Sequence, residues 1–369
     1  MKYQILILIS VIIFSNGCSI KSGKEGISDS PQVIRLNAQL GISNSGYMTE
    51  LFDLADIIQL ETTEESLLGQ VTKMEVVDDR IIILDKLSAL KLLVFDSRGK
   101  FLFSSGSSGK GPLEISSLDD FCIWKNKIYL LDLFQKKVVI QDLITGAKEN
   151  ELFLDFHAYF LEKHEKGFTF INALTRGVTF TNNKFKEKYT TNYQGYMEYC
   201  LPIKALFNTN QGVYLKDTGS DSLFLVGENN LDLAIVFDFA GSGWTKKELR
   251  EIKNVAEYNN ESYKRAKSYG VSNIFMNKQA MYFTFIGFLD GIQYGVHYLY
   301  DKLNNKETIY SNQFQDDITL TNKPPVFTAQ DERFFYYVKE PRTIPKFLQS
   351  NNMNVSIDEN PIIVKLKLK

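Results

Sequence analysis

The sequence predicts an all-β chain folded as a six-bladed β-propeller of four-stranded antiparallel blades. Two stretches, 80–103 and 127–146, share one order of elements: an apolar strand ending in Asp, a turn, a second strand ending in Asp, and a turn that contains Gly. The equivalent residues Asp85 and Asp132 are 47 positions apart. A repeat of this length that consists only of strands is typical of propeller blades.

Four weaker copies of the repeat follow the first two. They cover 167–189, 212–226, 280–306 and 333–369. Near the N-terminus, Val33–Leu36 and Ile57–Leu60 resemble strands, and we expect both to complete the last blade and close the ring. Closure of this kind removes the exposed sheet edges at which chains aggregate. Because the later repeats are degenerate, seven blades are the alternative to six.

The composition is that of a globular protein. The chain has 369 residues, of which 44% are hydrophobic and 23% charged, so it is long enough to bury a large core. The aromatic share of 13% suits strands that pack sheet on sheet. A net charge of −2 and the lack of an RNA- or DNA-binding motif argue against a nucleic-acid partner. With only three His residues in the chain, we expect no metal and no other cofactor.

The first residues indicate export rather than folding. Gln4–Phe14 is an apolar run too short to span a bilayer, and small residues follow it before Cys18. We predict a signal peptide over 1–17, acylation of Cys18 as in a bacterial lipobox, and a flexible Ser/Gly/Lys-rich tether over 18–31. The remaining residues, 32–369, are predicted to form a single propeller. The alternative is ordinary signal cleavage, with the position of Cys18 incidental.

The other Cys and His residues give no clear sign of a reactive site. An exported protein could link Cys122 to Cys200, but they fall in different predicted blades, so two buried small apolar side chains are expected. His157 and His164 are seven positions apart, and a metal site would need His297 to join them across the channel. We expect packed or surface histidines instead.

One segment interrupts the all-β pattern. Thr245–Glu248 has the sequence of a helix capping box, and apolar residues spaced by three and four follow it. This predicts a helical insertion over 245–266, between the fourth and fifth blades and lying over one end of the ring. The insertion is either a structural flap or one wall of a ligand pocket.

The recurrent Asp residues resemble catalytic carboxylates at first inspection. Asp85, Asp132 and Asp217 occupy equivalent positions in successive blades, however, which predicts that they cap turns through hydrogen bonds to backbone amides. The chain contains neither a Gly-x-Ser-x-Gly elbow nor a His-Glu-x-x-His motif, so serine hydrolysis of that type and zinc proteolysis of that type are unsupported.

Several phrases of the chain resemble those of the six-bladed β-propeller lipoproteins of Bacteroidetes, an NHL-repeat-like family of mostly uncharacterised function. The matching phrases are Leu54–Gly69, Ile82–Asp85, Val94–Lys100, Gly109–Glu114 and Asn360–Lys367. The resemblance implies six blades and a location in the cell envelope, anchored to the outer membrane, and it implies no activity. Lipoproteins displayed on the surface of such cells tend to carry acidic residues after the Cys. Because Ser19–Lys24 is basic, the periplasmic side is favoured over the cell surface.

Any ligand-facing surface is expected at the end of the ring that carries the Gly109–Glu114 loop and the helical insertion, because loops at blade ends carry recognition. The candidate contacts are Lys110, Glu114, Arg176 and Trp244. Each has a structural alternative. Glu114 could bond backbone amides within its own loop, Arg176 could pair with a neighbouring acid, and Trp244 could anchor the insertion to the blades.

Two functions are compatible with the sequence. The first is a non-enzymatic binding or scaffold module, held at the membrane through acylated Cys18, that presents the propeller to a peptide, a glycan or a protein partner. The second is an NHL-like lyase or hydrolase that uses a metal in the central channel. The low His content and the lack of a nucleophile motif favour the first.

Overall fold

A computed structural model of the chain describes most of the predicted propeller. The described residues are 30–37, 45–106, 108–173, 177–186, 188–191, 206–209, 211–216, 221–311, 313–321, 323–324 and 326–369. Residues 1–17 and Cys18 lie outside them, and of the predicted tether only Ser30 and Pro31 are described. Among the helices in this part of the chain, none is both long and apolar enough to cross a membrane.

The chain enters the fold through four short elements. These are β1 Gln32–Arg35, β2 Gly46–Tyr47, α1 Met48–Leu51 and β3 Phe52–Gln59. Blades 1, 2 and 3 then follow, each with four antiparallel strands in chain order. Their strands are β4 Lys73–Val77, β5 Arg80–Asp85, β6 Lys91–Asp96 and β7 Phe101–Gly106; β8 Asp120–Trp124, β9 Lys127–Asp132, β10 Lys137–Asp142 and β11 Lys148–Phe153; β12 Ala158–His164, β13 Gly167–Asn172, β14 Val178–Asn182 and β15 Lys188–Thr191.

Blades 4, 5 and 6 complete the ring and carry most of the helices. Their elements in chain order are β16 Leu206–Thr209, β17 Gly212–Lys216, β18 Ser222–Val226, β19 Leu231–Asp238, α2 Lys246–Leu249, α3 Val255–Lys264, β20 Tyr269–Met276, β21 Ala280–Leu289, β22 Ile292–Asp301, β23 Lys306–Tyr310, β24 Phe314–Gln315, β25 Phe327–Gln330, β26 Phe334–Lys339, a 3-10 turn Pro341–Thr343, α4 Pro345–Ser350 and β27 Ile362–Leu368. The prediction of six four-stranded blades is confirmed.

The ring closes through the N-terminal part of the chain. Strand β3 pairs antiparallel with β27 as the outer strand of blade 6, with Ile58 opposite Ile363. The predicted role of Ile57–Leu60 in the last blade is therefore confirmed. Strand β2 forms a separate parallel pair with β24.

The predicted position of Val33–Leu36 is wrong. Strand β1 pairs in parallel with β19 and adds a fifth strand to blade 4 instead of completing blade 6. The outer edge of blade 6 is already covered by β3, whereas the edge of β19 accepts a strand. Ile34 and Leu36 are buried in the apolar cluster between blades 4 and 5, next to Phe237, and this burial stabilises the pairing.

The core consists of apolar layers between the faces of neighbouring blades. Between blades 4 and 5, the rings of Phe237 and Phe283 have centroids 4.8 Å apart. Between blades 5 and 6, the ring of Tyr282 meets that of Phe327 edge to face at 4.6 Å. Such aromatic pairs add packing energy to the burial of apolar area. The high aromatic content thus fills the spaces between the blades.

The two ends of the ring differ strongly. Strands within a blade alternate in direction, so their connections alternate between the ends. At one end, called the short-turn end, the connections between described strands have two to five residues. From β3 onwards, the longer connections that the structure describes lie at the other end, called the long-connection end: 60–72, 107–119, 239–268, 311–326 and 340–361.

The predicted helical insertion lies between blades 4 and 5, as expected, and consists of two helices. The Thr245 hydroxyl accepts a hydrogen bond from the Glu248 amide, and the Glu248 side chain bonds back to Thr245, so the predicted capping box is confirmed. A second start signal splits the segment, because the Asn254 side chain accepts from the Glu257 amide at 2.9 Å and begins α3.

Candidate functional site

The recurrent Asp residues cap connections at the long-connection end. Asp85 Oδ2 accepts hydrogen bonds from the amides of Gly69 at 2.7 Å and Gln70 at 3.0 Å. Asp132 accepts from the amide of Ser116 at 2.6 Å and from that of Gln135 at 2.8 Å. Burial alone would raise the pKa of both carboxyls, but these hydrogen bonds hold each pKa below its ordinary value. Their predicted capping role is confirmed, while Asp217 lies outside the described residues.

The Gly109–Glu114 loop is held by hydrogen bonds within itself and to blade 2. Glu114 Oε2 accepts from the Gly111 amide at 2.6 Å. Glu151 of β11 accepts from the Leu113 amide at 3.0 Å and from Lys137 Nζ at 2.8 Å. The Glu114 carboxylate is thus directed at its own loop. Lys110 is exposed at the surface.

Trp244 is buried in the helical insertion, with only 9% of its surface exposed. Its indole nitrogen donates to Ser262 Oγ at 2.9 Å, and its ring stacks on Tyr258 with centroids 5.5 Å apart. Tyr258 in turn meets Tyr269 of β20 edge to face at 5.2 Å. Trp244 therefore packs against α3, and Tyr258 of α3 makes the contact with blade 5. The fourth candidate residue, Arg176, lies outside the described residues.

A buried charged network joins the inner strands of blades 1, 2 and 3. Lys73 Nζ donates to Asp120 Oδ1 at 2.9 Å and lies 3.3 Å from Glu75 Oε1 and 3.7 Å from Glu162 Oε1. Asp120 Oδ2 accepts from the Leu161 amide of β12 at 3.0 Å. Burial would lower the pKa of Lys73, but the three carboxylates outweigh it and raise the pKa well above the ordinary value. Lys73 is therefore a charged crosslink between blades.

The three histidines occupy separate surroundings. His157 Nδ1 lies 2.9 Å from the Leu133 carbonyl oxygen, and His297 Nδ1 lies 2.7 Å from the Tyr282 hydroxyl. Burial lowers the pKa of both His164 and His297 to about 4, so both are neutral at pH 7. Where residues are described, no three His, Cys, Asp or Glu side chains are grouped so as to bind a metal.

Cys122 is fully buried, as predicted, in the apolar cluster between blades 2 and 3. Burial raises the pKa of its thiol, which keeps it protonated. Cys200 lies outside the described residues, so a bond between the two cysteines is untested.

An open cleft of about 400 Å³ lies at the long-connection end, between blade 6 and the connection that enters blade 1. Its lining residues are Gly69, Gln70, Val71, Thr328, Val338, Glu340 and Arg342. Among these residues are an exposed guanidinium, a carboxylate, an amide and a hydroxyl. The cleft is therefore lined by both hydrogen-bond donors and acceptors. The volume is within the range of roughly 300–1,000 Å³ that is usual for ligand pockets.

The walls of this cleft are fixed by buried side chains. Asn360 Oδ1 accepts from the Leu68 amide at 2.8 Å, and its Nδ2 donates to the carbonyls of Glu61 at 2.8 Å and Ser66 at 2.9 Å. Asn360 is 1% exposed and so ties connection 340–361 to connection 60–72. Asp85 holds the same wall through its bonds to the amides of residues 69 and 70. A preformed cleft of this kind does not have to order its loops when it binds a ligand.

The sequence did not predict the cleft, because its lining residues are far apart in the chain. They come from three segments: 69–71, the residue Thr328, and 338–342. Two neighbouring signals were present in the sequence. Asp85 recurs in the repeat, and Asn360 stands in one of the family-like phrases. Asp85 and Asn360 both hold the cleft walls in place through hydrogen bonds, and neither lines the cleft itself.

Comparison with known proteins identifies a family and a shared fold. The family model described as Domain of unknown function (DUF4934) matches residues 31–367. A presumed exported protein of Bacteroides fragilis has a similar structure, with a TM-score of 0.69 at 15% identity, over 92% of this chain and 100% of that chain. At this identity the likeness concerns the fold alone.

Two further solved structures match more loosely. BamB of Moraxella catarrhalis gives a TM-score of 0.39 at 10% identity, over 86% of this chain and 98% of that chain. Hydrazine synthase of Kuenenia stuttgartiensis gives 0.40 at 9% identity, over 80% and 83%. No curated protein matches the chain.

Proposed function

The chain belongs to the DUF4934 family, and we propose that it is an envelope-anchored lipoprotein whose propeller binds a peptide, a glycan or a protein partner without catalysis. The observation that carries this proposal is the contrast between the two ends of the ring. From β3 onwards, the described connections longer than five residues lie at one end, and the polar cleft lies among them. A rigid scaffold with long loops at one end is a common arrangement for recognition.

The chemistry of the cleft supports a polar, extended ligand. The Arg342 guanidinium donates in a planar fork that suits carboxylates and carbonyl groups. Glu340 accepts hydrogen bonds, while Gln70 can both donate and accept. Peptide backbones and sugar hydroxyls need this mixture of donors and acceptors.

The residues proposed from the sequence divide into two groups. Lys110 is exposed, and we retain it with Arg176 as a candidate ligand contact. Glu114 and Trp244 would act indirectly, since Glu114 holds its own loop and Trp244 packs against α3.

The envelope location is supported from two sides. The leader over 1–17 followed by Cys18 has the order of a lipoprotein signal. The similar protein from Bacteroides fragilis is presumed to be exported. The basic segment Ser19–Lys24 favours the periplasmic side of the outer membrane over the cell surface.

An enzyme with a metal in the channel is less well supported. Lys73 places an ammonium group between Asp120, Glu75 and Glu162, within 3.7 Å of each of them. A positive charge held at that position repels a metal cation and occupies the carboxylates that would bind it.

The proposal is tested by binding of the full chain to immobilised arrays of peptides and glycans. Arg342→Glu is expected to weaken the strongest interaction at least about tenfold, because it replaces a donor with a like charge beside Glu340. Arg333→Glu is the matched control, since Arg333 is exposed on the same blade but at the short-turn end. Equal losses in both variants, or no binding to either array, would contradict the proposal.

A further inference from the structure

We propose that the propeller has a second, independent site, between blades 4 and 5, for a small apolar carboxylate. The site is a cavity of about 270 Å³, separate from the cleft at the long-connection end. Its lining residues are Gln32, Gln211, Tyr214, Ala234, Ile235, Met276, Met281, Tyr300 and Lys302. Gln211 and Lys302 lie in turns of the short-turn end, so the cavity opens towards that end.

One part of the cavity wall is apolar. Ile235, Met276 and Met281 are at most 4% exposed, and the two thioethers offer flexible, polarisable surfaces. The ring of Tyr214 packs beside them, with its hydroxyl donating outwards to Gln211 Oε1 at 3.3 Å. These walls suit an aromatic ring or a short alkyl chain. The cavity volume is slightly below roughly 300 Å³, where the usual range of ligand-pocket volumes begins, so the ligand must be small.

Lys302 supplies the one charged group of the cavity lining. Its Nζ donates to the Asn277 carbonyl oxygen at 2.7 Å. Within the part of the chain that the structure describes, no carboxylate lies within ion-pair distance of it. Burial lowers the pKa of this lysine, and no carboxylate lies beside it to oppose the shift. An ammonium group at the edge of an apolar cavity lacks a counterion, and a ligand carboxylate would provide one.

A ligand with an apolar body and one carboxylate satisfies both halves of the cavity. The body would replace water against Met276 and Met281, while the carboxylate would accept a charge-assisted hydrogen bond from Lys302. A neutral ligand of the same shape would gain only the apolar contacts. The discrimination between carboxylate and amide therefore distinguishes this site from a general apolar cavity.

The test uses isothermal titration of the full chain with benzoate, phenylacetate and hexanoate, and with the three corresponding amides. At least one carboxylate is expected to bind about tenfold more tightly than its amide. Lys302→Met should abolish that preference, whereas Lys306→Met, which alters an exposed lysine of β23, should retain it.

A second variant separates the cavity from the charge. Ala234→Leu adds three carbons to a lining position while leaving Lys302 in place, so it should abolish binding of carboxylate and amide alike. The proposal is overturned if none of the three carboxylates binds the native chain, or if the preference for carboxylate survives Lys302→Met. Thermal melting of each variant shows that the blades remain folded.

Discussion

Replacing Lys73 with Met is expected to destabilise the propeller by about 3–5 kcal/mol, the usual loss when one partner of a buried ion pair is removed. The substitution leaves Asp120 and Glu162 buried without their cation, and their side chains are only 6% and 2% exposed. It also removes the ion pairs that link blade 1 to blades 2 and 3. The loss would appear as an earlier midpoint in denaturant unfolding.

The stabilisation of the fold by Lys73 depends on pH in a defined way. Because the folded chain raises the pKa of Lys73 above its ordinary value of 10.5, the stabilisation is fully present below that value and is lost only as pH rises through the folded pKa. The difference between native and variant chains should therefore be constant between about pH 6 and 9. Lys91→Met, at a half-buried lysine of the same blade, is the control and should shift stability by less than about 1 kcal/mol. Similar losses in both variants would show that the network contributes little.

Replacing Cys18 with Ala is expected to move the protein from the membrane fraction to the soluble fraction. If Cys18 is acylated, the lipid chains hold the protein at the bilayer, with about 0.8 kcal/mol for each buried CH₂ group. The leader is best exchanged for an ordinary cleavable signal in this variant, so that an uncleaved apolar run does not anchor it instead. Detergent phase partition and metabolic labelling with an alkyne fatty acid give the readouts.

The control for this experiment is Cys122→Ala, which removes a buried thiol and leaves Cys18 intact. It should remain labelled and membrane-bound. Retention of the Cys18→Ala protein in the detergent phase would contradict lipid anchoring and would support ordinary signal cleavage.

The repeat predicted most of the fold because each blade contains the same local pattern. Asp85 and Asp132 were correctly expected to cap turns, since equal positions in successive blades indicate equal structural roles. Strand β1 was placed in the wrong blade because Val33–Leu36 shows that a strand exists but not which edge accepts it. That choice depends on which sheet edges the folded ring leaves open, which is a tertiary property.

The candidate site was less predictable than the fold. The sequence drew attention to Glu114 and Trp244, whose side chains are directed into the protein by hydrogen bonds to Gly111 and Ser262. The cleft depends on Arg342, in an insertion of blade 6 that interrupts the repeat and has no counterpart in the other blades. The residues that line the cleft come together through ring closure, which places connections 60–72 and 340–361 side by side.

The most direct test of the central claim is amide hydrogen exchange of the full chain with and without the ligand selected from the arrays. Binding at the long-connection end predicts slower exchange in 60–72 and 340–361, with the turns 125–126 and 331–333 unchanged. Slower exchange confined to those turns at the short-turn end would contradict the account.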